Sequence, residues 1–219
     1  MKRLLPLLLS TLVLFAGCGS GDSFNPSAEL LAAAQCTGLS LEDLVEVYNE
    51  TLDLLDSIGG VIPPNMTYNI ATGAYTITIS LGDIAGIVSS PNNLADGLGV
   101  GETATATWDL NGGLAGAGEV TAEGSFTVAR ATATNYTVSG QGGTADGTCQ
   151  FDFSSLNFAV NTTSGLGPVG TIVFEGTTPD GTLDGTMTFN GGDTARIVAT
   201  FDGVSYTFFL DLLTFEPIF

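Results

Sequence analysis

Apolar residues recur along this chain with two different periods, and the period changes at Pro63-Pro64. Before that point the spacing is helical. Leu41, Leu44, Val45, Tyr48, Leu52, Leu55 and Ile58 fall on one face, and Glu42, Glu46, Asn49, Glu50 and Asp53 fall mostly on the other. Ser40 with Asp43 makes a start resembling a capping box, and Gly59-Gly60 ends the stretch. A shorter helix over Ala28 to Gln35 is announced by Asn25-Pro26, a cap followed by proline in the first turn. The pattern therefore predicts a helical segment over 27–60, in one or two helices, with one stripe to bury.

After Pro64 the period is two. Tyr75, Ile77, Ile79 and Leu81 alternate with Thr76, Thr78 and Ser80, and Ala104, Ala106, Trp108 and Leu110 alternate with Thr and Asp. Leu183, Gly185, Met187 and Phe189 repeat the pattern, as do Val204, Tyr206, Phe208, Leu210 and Leu212. Threonine favours the pleated backbone and tolerates water, so it suits the outer face of half-buried strands. Asn190-Gly191-Gly192-Asp193 and Asp202-Gly203 read as hairpin turns, since Asp-Gly supplies the positive φ angles of a two-residue connection. In Cys149 to Val160 the inward parity shifts between Phe153 and Leu156, which predicts a bulge at Ser154-Ser155. About nine such segments predict a mainly β domain over 61–219. Its form is an antiparallel meander, either a sandwich or a curled barrel-like sheet, with the N-terminal helices packed on it as one folding unit over 27–219. A barrel in lipid is set aside: Tyr and Trp are few, the turns are short, and Pro217 interrupts the last strand.

The first residues follow neither period. Met1-Lys2-Arg3 is basic, and Leu4 to Phe15 is almost wholly apolar but too short to span a bilayer, which takes about 20 residues. This is the layout of a secretory signal. Leu14-Phe15-Ala16-Gly17-Cys18 then resembles the lipobox of bacterial lipoproteins, with Phe15 where the family usually has Leu. The resemblance covers residues 1–20 only. It implies a signal peptide over 1–17, acylation of Cys18 with palmitate or a similar chain, and a lipidated tether over 18–26. The implied place is the cell envelope, held to a membrane by that lipid. Gly19 after the cysteine implies the outer membrane where the cell has one.

Charge narrows the partners. Lys2 and Arg3 leave with the signal, so the mature chain has two bases, Arg130 and Arg196, against 23 acids. It cannot neutralise phosphates, which excludes nucleic acid. An anionic headgroup layer is a poor surface for it apart from the acyl anchor. Two cysteines remain, Cys36 and Cys149, and an exported even pair reads as a disulfide. Closing a loop of about 100 residues is worth about 4.7 kcal/mol in chain entropy.

The available chemistry is narrow. The sequence has no histidine, and its one lysine lies in the signal. Histidine-assisted nucleophiles, imidazole metal sites and lysine Schiff bases are therefore out of reach. Asp109, Asp152, Glu175, Asp184 and Asp211 could pair for glycoside hydrolysis, yet each has the outward parity of its strand. Gly-Asp turns invite calcium, but turn chemistry alone accounts for them. Trp108 has core parity, so it offers no platform for sugar. Asn-x-Thr sequons at Asn49, Asn65, Asn135 and Asn161 are unremarkable in a Thr-rich chain. Arg130 is unusual: it shares parity with Phe126 and Val128 and so points inward or sits at the rim. A strand-end ion pair with a carboxylate is the plain expectation for it. A cation at the mouth of an apolar cavity is the sharper one.

The expected function is a non-catalytic, membrane-anchored envelope domain, structural or protein-binding, with no catalytic residue, metal or cofactor. A carrier holding an apolar ligand in a curled, Phe-rich sheet is the alternative, and a carboxylate glycosidase the third. Replacement Cys18→Ser is expected to abolish acylation and leave the protein unprocessed or soluble. Palmitate labelling of that variant would overturn the lipobox assignment.

Overall fold

Among the described residues twelve strands follow one another across a single antiparallel sheet, each paired with its sequence neighbours, in the order β1 to β12. The computed structural model describes residues 25–57, 66–72, 74–81, 84–94, 97–111, 120–146, 149–163 and 167–219. The expected signal over 1–17, Cys18, Asn65 and the expected helix stop at Gly59-Gly60 lie outside the described residues, as do the side chains of Trp108, Asp109 and Asn49. One helix, α1 (Ala28–Ser57), precedes the strands. These are β1 (Met66–Asn69), β2 (Ala74–Leu81), β3 (Ile84–Ser90), β4 (Thr103–Asn111), β5 (Val120–Arg130) and β6 (Asn135–Asp146). The remainder are β7 (Cys149–Asn161), β8 (Val169–Thr178), β9 (Gly181–Asn190), β10 (Thr194–Phe201), β11 (Val204–Asp211) and β12 (Pro217–Ile218). The sheet curls without closing: among the described residues β1 and β12 do not pair with each other. Of the two expected forms, the curled sheet is present and the sandwich is not.

Parity along the strands sorts the side chains as expected. Leu183, Met187 and Phe189 are buried while Thr182 and Asp184 are exposed, and Phe208 and Leu210 are buried beside exposed Thr207 and Phe209. At the β10–β11 turn Asp202 and Gly203 have φ of 48° and 81°, the doubly positive pair a two-residue hairpin requires. In β7 the buried set runs Cys149, Phe151, Phe153 and then Leu156. The pairing with β8 slips between Phe153 and Ser155, so the expected bulge is present and resets the inner face.

About nine expected strands become twelve among the described residues. Of the one or two helices expected, a single continuous helix of 30 residues forms, running through the stretch between Gln35 and Ser40. Ser27 starts it, its Oγ accepting from the Leu30 N–H at 3.2 Å, so the cap lies after Pro26 and not at Asn25. Mid-helix glycine normally costs about 1 kcal/mol against alanine. At Gly38 a Cβ would collide with the carbonyl oxygen of Phe215, so the missing side chain is what admits the C-terminal segment against α1. Tertiary contact outweighs local propensity here.

Leu30, Ala33, Ala34, Leu41, Leu44 and Tyr48 of α1 join one core with Phe126, Phe151, Phe153, Ile172, Phe174 and Phe208 of the sheet. A disulfide between Cys36 and Cys149 ties the helix to the start of β7, across 113 residues of sequence and 5.6 Å between Cα atoms. Both cysteines are buried. Replacing Cys36 and Cys149 together with serine is expected to lower stability by about 2–5 kcal/mol in urea unfolding. Alkylation of the denatured, unreduced native protein should modify neither thiol.

Candidate functional site

The bulge in β7 has a direct consequence on the sheet's inner face. Past Ser154 the inward residues become Leu156, Phe158 and Val160, where the earlier parity would have turned Phe158 and Val160 to solvent. They meet α1 across a cavity of about 150 Å³. The helix contributes Leu41, Leu44, Val45 and Tyr48, which stand at i, i+3, i+4 and i+7 and so share one face. The sheet contributes Phe158 and Val160 from β7, Ile172 from β8 and Phe189 from β9, while Pro168, Leu212 and Phe215 come from the connections. Leu41, Leu44, Tyr48, Ile172 and Phe189 are buried and form the floor. Val45, Phe158, Val160, Pro168, Leu212 and Phe215 are half-buried and form an apolar mouth.

Among the described residues, Tyr48 is the one lining side chain with a polar atom. Its ring stands edge-on to Phe158 at 5.3 Å between centroids and tilts against Phe126 at 6.4 Å. Its hydroxyl is buried and has no hydrogen-bond partner among the described residues. Burial, and secondarily the neighbouring Tyr136, pushes its pKa well above the ordinary phenol value, so it stays neutral. The hydroxyl is shut away from solvent, which leaves the cavity surface formed by the described residues effectively hydrocarbon.

The mouth is shaped by a strained turn. Asp211 accepts from the Leu213 and Thr214 N–H groups at 2.8 and 3.0 Å, and its own carbonyl accepts from Phe215 N–H at 2.9 Å. Those side-chain bonds hold the Asp211 carboxyl below its ordinary value. Their contribution to stability is thus present above the ordinary aspartate range and is lost as pH falls through the lowered value. Phe215 has φ of 55°, uncommon for a bulky residue and costing on the order of 1–3 kcal/mol. The turn thereby brings the Phe215 ring to the mouth and its carbonyl onto Gly38.

Arg130 stands elsewhere. It is half-buried at the end of β5 and is not among the residues lining the cavity. Its Nη1 donates to the Leu98 carbonyl at 2.7 Å, Nη2 to Ala133 at 2.7 Å and Nε to Thr132 at 3.4 Å. The guanidinium also lies 5.4 Å from the Tyr136 ring centroid. Carbonyl oxygens thus take the place of the expected carboxylate, and the arginine staples the segment before β4 to the β5–β6 turn. Sequence parity located its rim position; the carbonyl ring was invisible there, because backbone acceptors carry no residue signature.

Three of the five candidate carboxylates gather on the opposite face, while Asp211 organises the turn at the mouth and the side chain of Asp109 lies outside the described residues. Asp152, Glu175 and Asp184 are exposed and stand directly opposite one another across β7, β8 and β9, in one acidic row. None lines the cavity. Among the described residues no three of Cys, Asp and Glu converge as metal ligands. Two of the sequons have structural work at the β6–β7 end: Asn161 Nδ2 donates to Asn135 Oδ1 at 2.6 Å, and Asn161 Oδ1 receives the Thr163 N–H at 3.0 Å.

Replacement Arg130→Ala is expected to lower stability by about 1–2 kcal/mol through the freed carbonyls, the lower part of the range for charged hydrogen bonds because the site is half open to water. Arg130→Lys should restore less than half of this, since an ammonium cannot span the same carbonyls; full rescue, read from the urea midpoint, would refute the staple. Comparison with family models, curated proteins and solved structures finds no match to this chain.

Proposed function

We propose that this chain is a lipid-anchored protein of the cell envelope whose domain binds an apolar ligand without catalysing a reaction. The observation that carries the reading is the cavity between α1 and the inner face of β7–β9, with a hydrocarbon floor and a half-open hydrocarbon mouth. Ligand sites are concave and mostly apolar, and they are built between rigid elements. Here the disulfide and the Gly38–Phe215 contact hold α1 in place beside the cavity. The strained Phe215 adds support, since strain that surrounding structure maintains gathers at functional positions. Acylation of Cys18 supplies the membrane attachment in this proposal, through a short tether that ends close to α1. The row of acids faces away from the cavity, which favours binding over glycoside hydrolysis.

A protein-binding role is supported by one further observation. On the outer face Phe209 and Ile218 are directly opposed across β11 and β12, and both are more than 40% exposed, an apolar pair that invites a partner surface.

Extraction of the lipoprotein purified from its native membrane, followed by mass spectrometry, tests the ligand proposal. An apolar compound should copurify in a fixed molar ratio and should be lost from Leu44→Trp, whose indole fills the cavity. Equal recovery of the compound from the filled variant would refute binding at this site.

A further inference from the structure

We infer that the cavity selects neutral, hydrocarbon-like molecules of about the size of a single aromatic ring and rejects their anionic counterparts. The inference deepens the ligand-binding proposal above and rests on it.

Size comes first. A cavity of about 150 Å³ lies below the usual 300–1,000 Å³ of drug-sized sites. An apolar cavity of about 150 Å³ lined by Leu, Ile and Phe stays dry and accepts benzene. The floor here is of that kind, formed by Leu41, Leu44, Tyr48, Ile172 and Phe189.

Charge decides the rest. A carboxylate taken from water into such a place needs a cation or several donors, and without them desolvation dominates. The mature chain has two bases. Arg130 has its three nitrogens on carbonyls and lies outside the lining. Arg196 is exposed on the outer face of β10, between buried Ala195 and Ile197, so it points away from the helix side. The Tyr48 hydroxyl is enclosed and offers no donor at the cavity surface. The 23 acids of the chain add long-range repulsion of anions at low ionic strength. A cation at the cavity mouth was the arrangement that would have favoured a fatty acid, and among the described residues the lining holds none.

Methyl NMR on the full lipidated chain in phospholipid nanodiscs tests this with toluene and benzoate, which share a ring and differ in charge. Toluene should shift the Leu44 and Ile172 methyl resonances saturably, and benzoate should need at least tenfold more to do so. Val160→Phe, placed at the half-exposed mouth where the fold tolerates bulk, should abolish the toluene response. Arg130→Lys should leave it unchanged. If benzoate matches toluene, or if its binding depends on Arg130, selection for neutral ligands is refuted while the binding proposal stands. If neither compound shifts these methyls, the binding proposal itself fails.

Discussion

The clamp between α1 and the inner face of the sheet is the constraint on which the rest of this structure depends. An open, curled sheet has an apolar inner face that must be covered, and the curl alone leaves part of it unfilled. Here the cover is a single helix, held at two neighbouring points. Cys36 is bonded to Cys149 at the start of β7, and two residues later Gly38 lets the Phe215 carbonyl close against the helix. Both ties lie in the N-terminal half of α1. The following turns of the helix, Leu41 to Tyr48, are thereby set at a defined height above β7, β8 and β9.

That height determines the cavity. Protein interiors are close-packed, so a space of about 150 Å³ between two clamped elements is a departure with a geometrical cause. Phe158 and Val160 enter it because one extra residue in β7 reverses the parity of the strand end. Phe215 enters it because a turn organised by Asp211 holds its backbone in a left-handed conformation. Helix, bulge and turn each contribute wall, and none of them could form the space alone.

The same alternation that fills the inner face distributes charge over the outer one. Asp152, Glu175 and Asp184 are brought into line by register, and the acid-rich composition becomes a negative surface on the side away from α1. Directly opposed like charges oppose strand pairing, by roughly 0.2–1 kcal/mol per pair. The sheet tolerates this because the inner face of the same strands carries Phe153, Phe174 and Leu183 at full burial. Among the described residues, the lining of the cavity carries no charged side chain.

Periodicity makes the sheet legible in the sequence alone. Period-two alternation, the Asp202-Gly203 turn and the parity slip near Ser154 are local signals, and each depends on atoms within a few residues. The pairing of Cys36 with Cys149 was legible too, because with Cys18 set aside only two thiols remain. Local reading left open whether one helix or two spanned Gly38, and the Phe215 carbonyl packed against that glycine accounts for its place inside a continuous helix. Local reading also stopped short at Arg130, whose position at the strand end was plain while its partners, three backbone carbonyls, carry no mark in the sequence. The sandwich and the curled sheet have the same alternation and differ in how the strands bend, which is a long-range property. The cavity is of the same kind: Leu41, Phe158, Ile172 and Phe215 are ordinary core residues in the sequence, and whether they touch or leave room depends on distances fixed by helix, sheet and disulfide together.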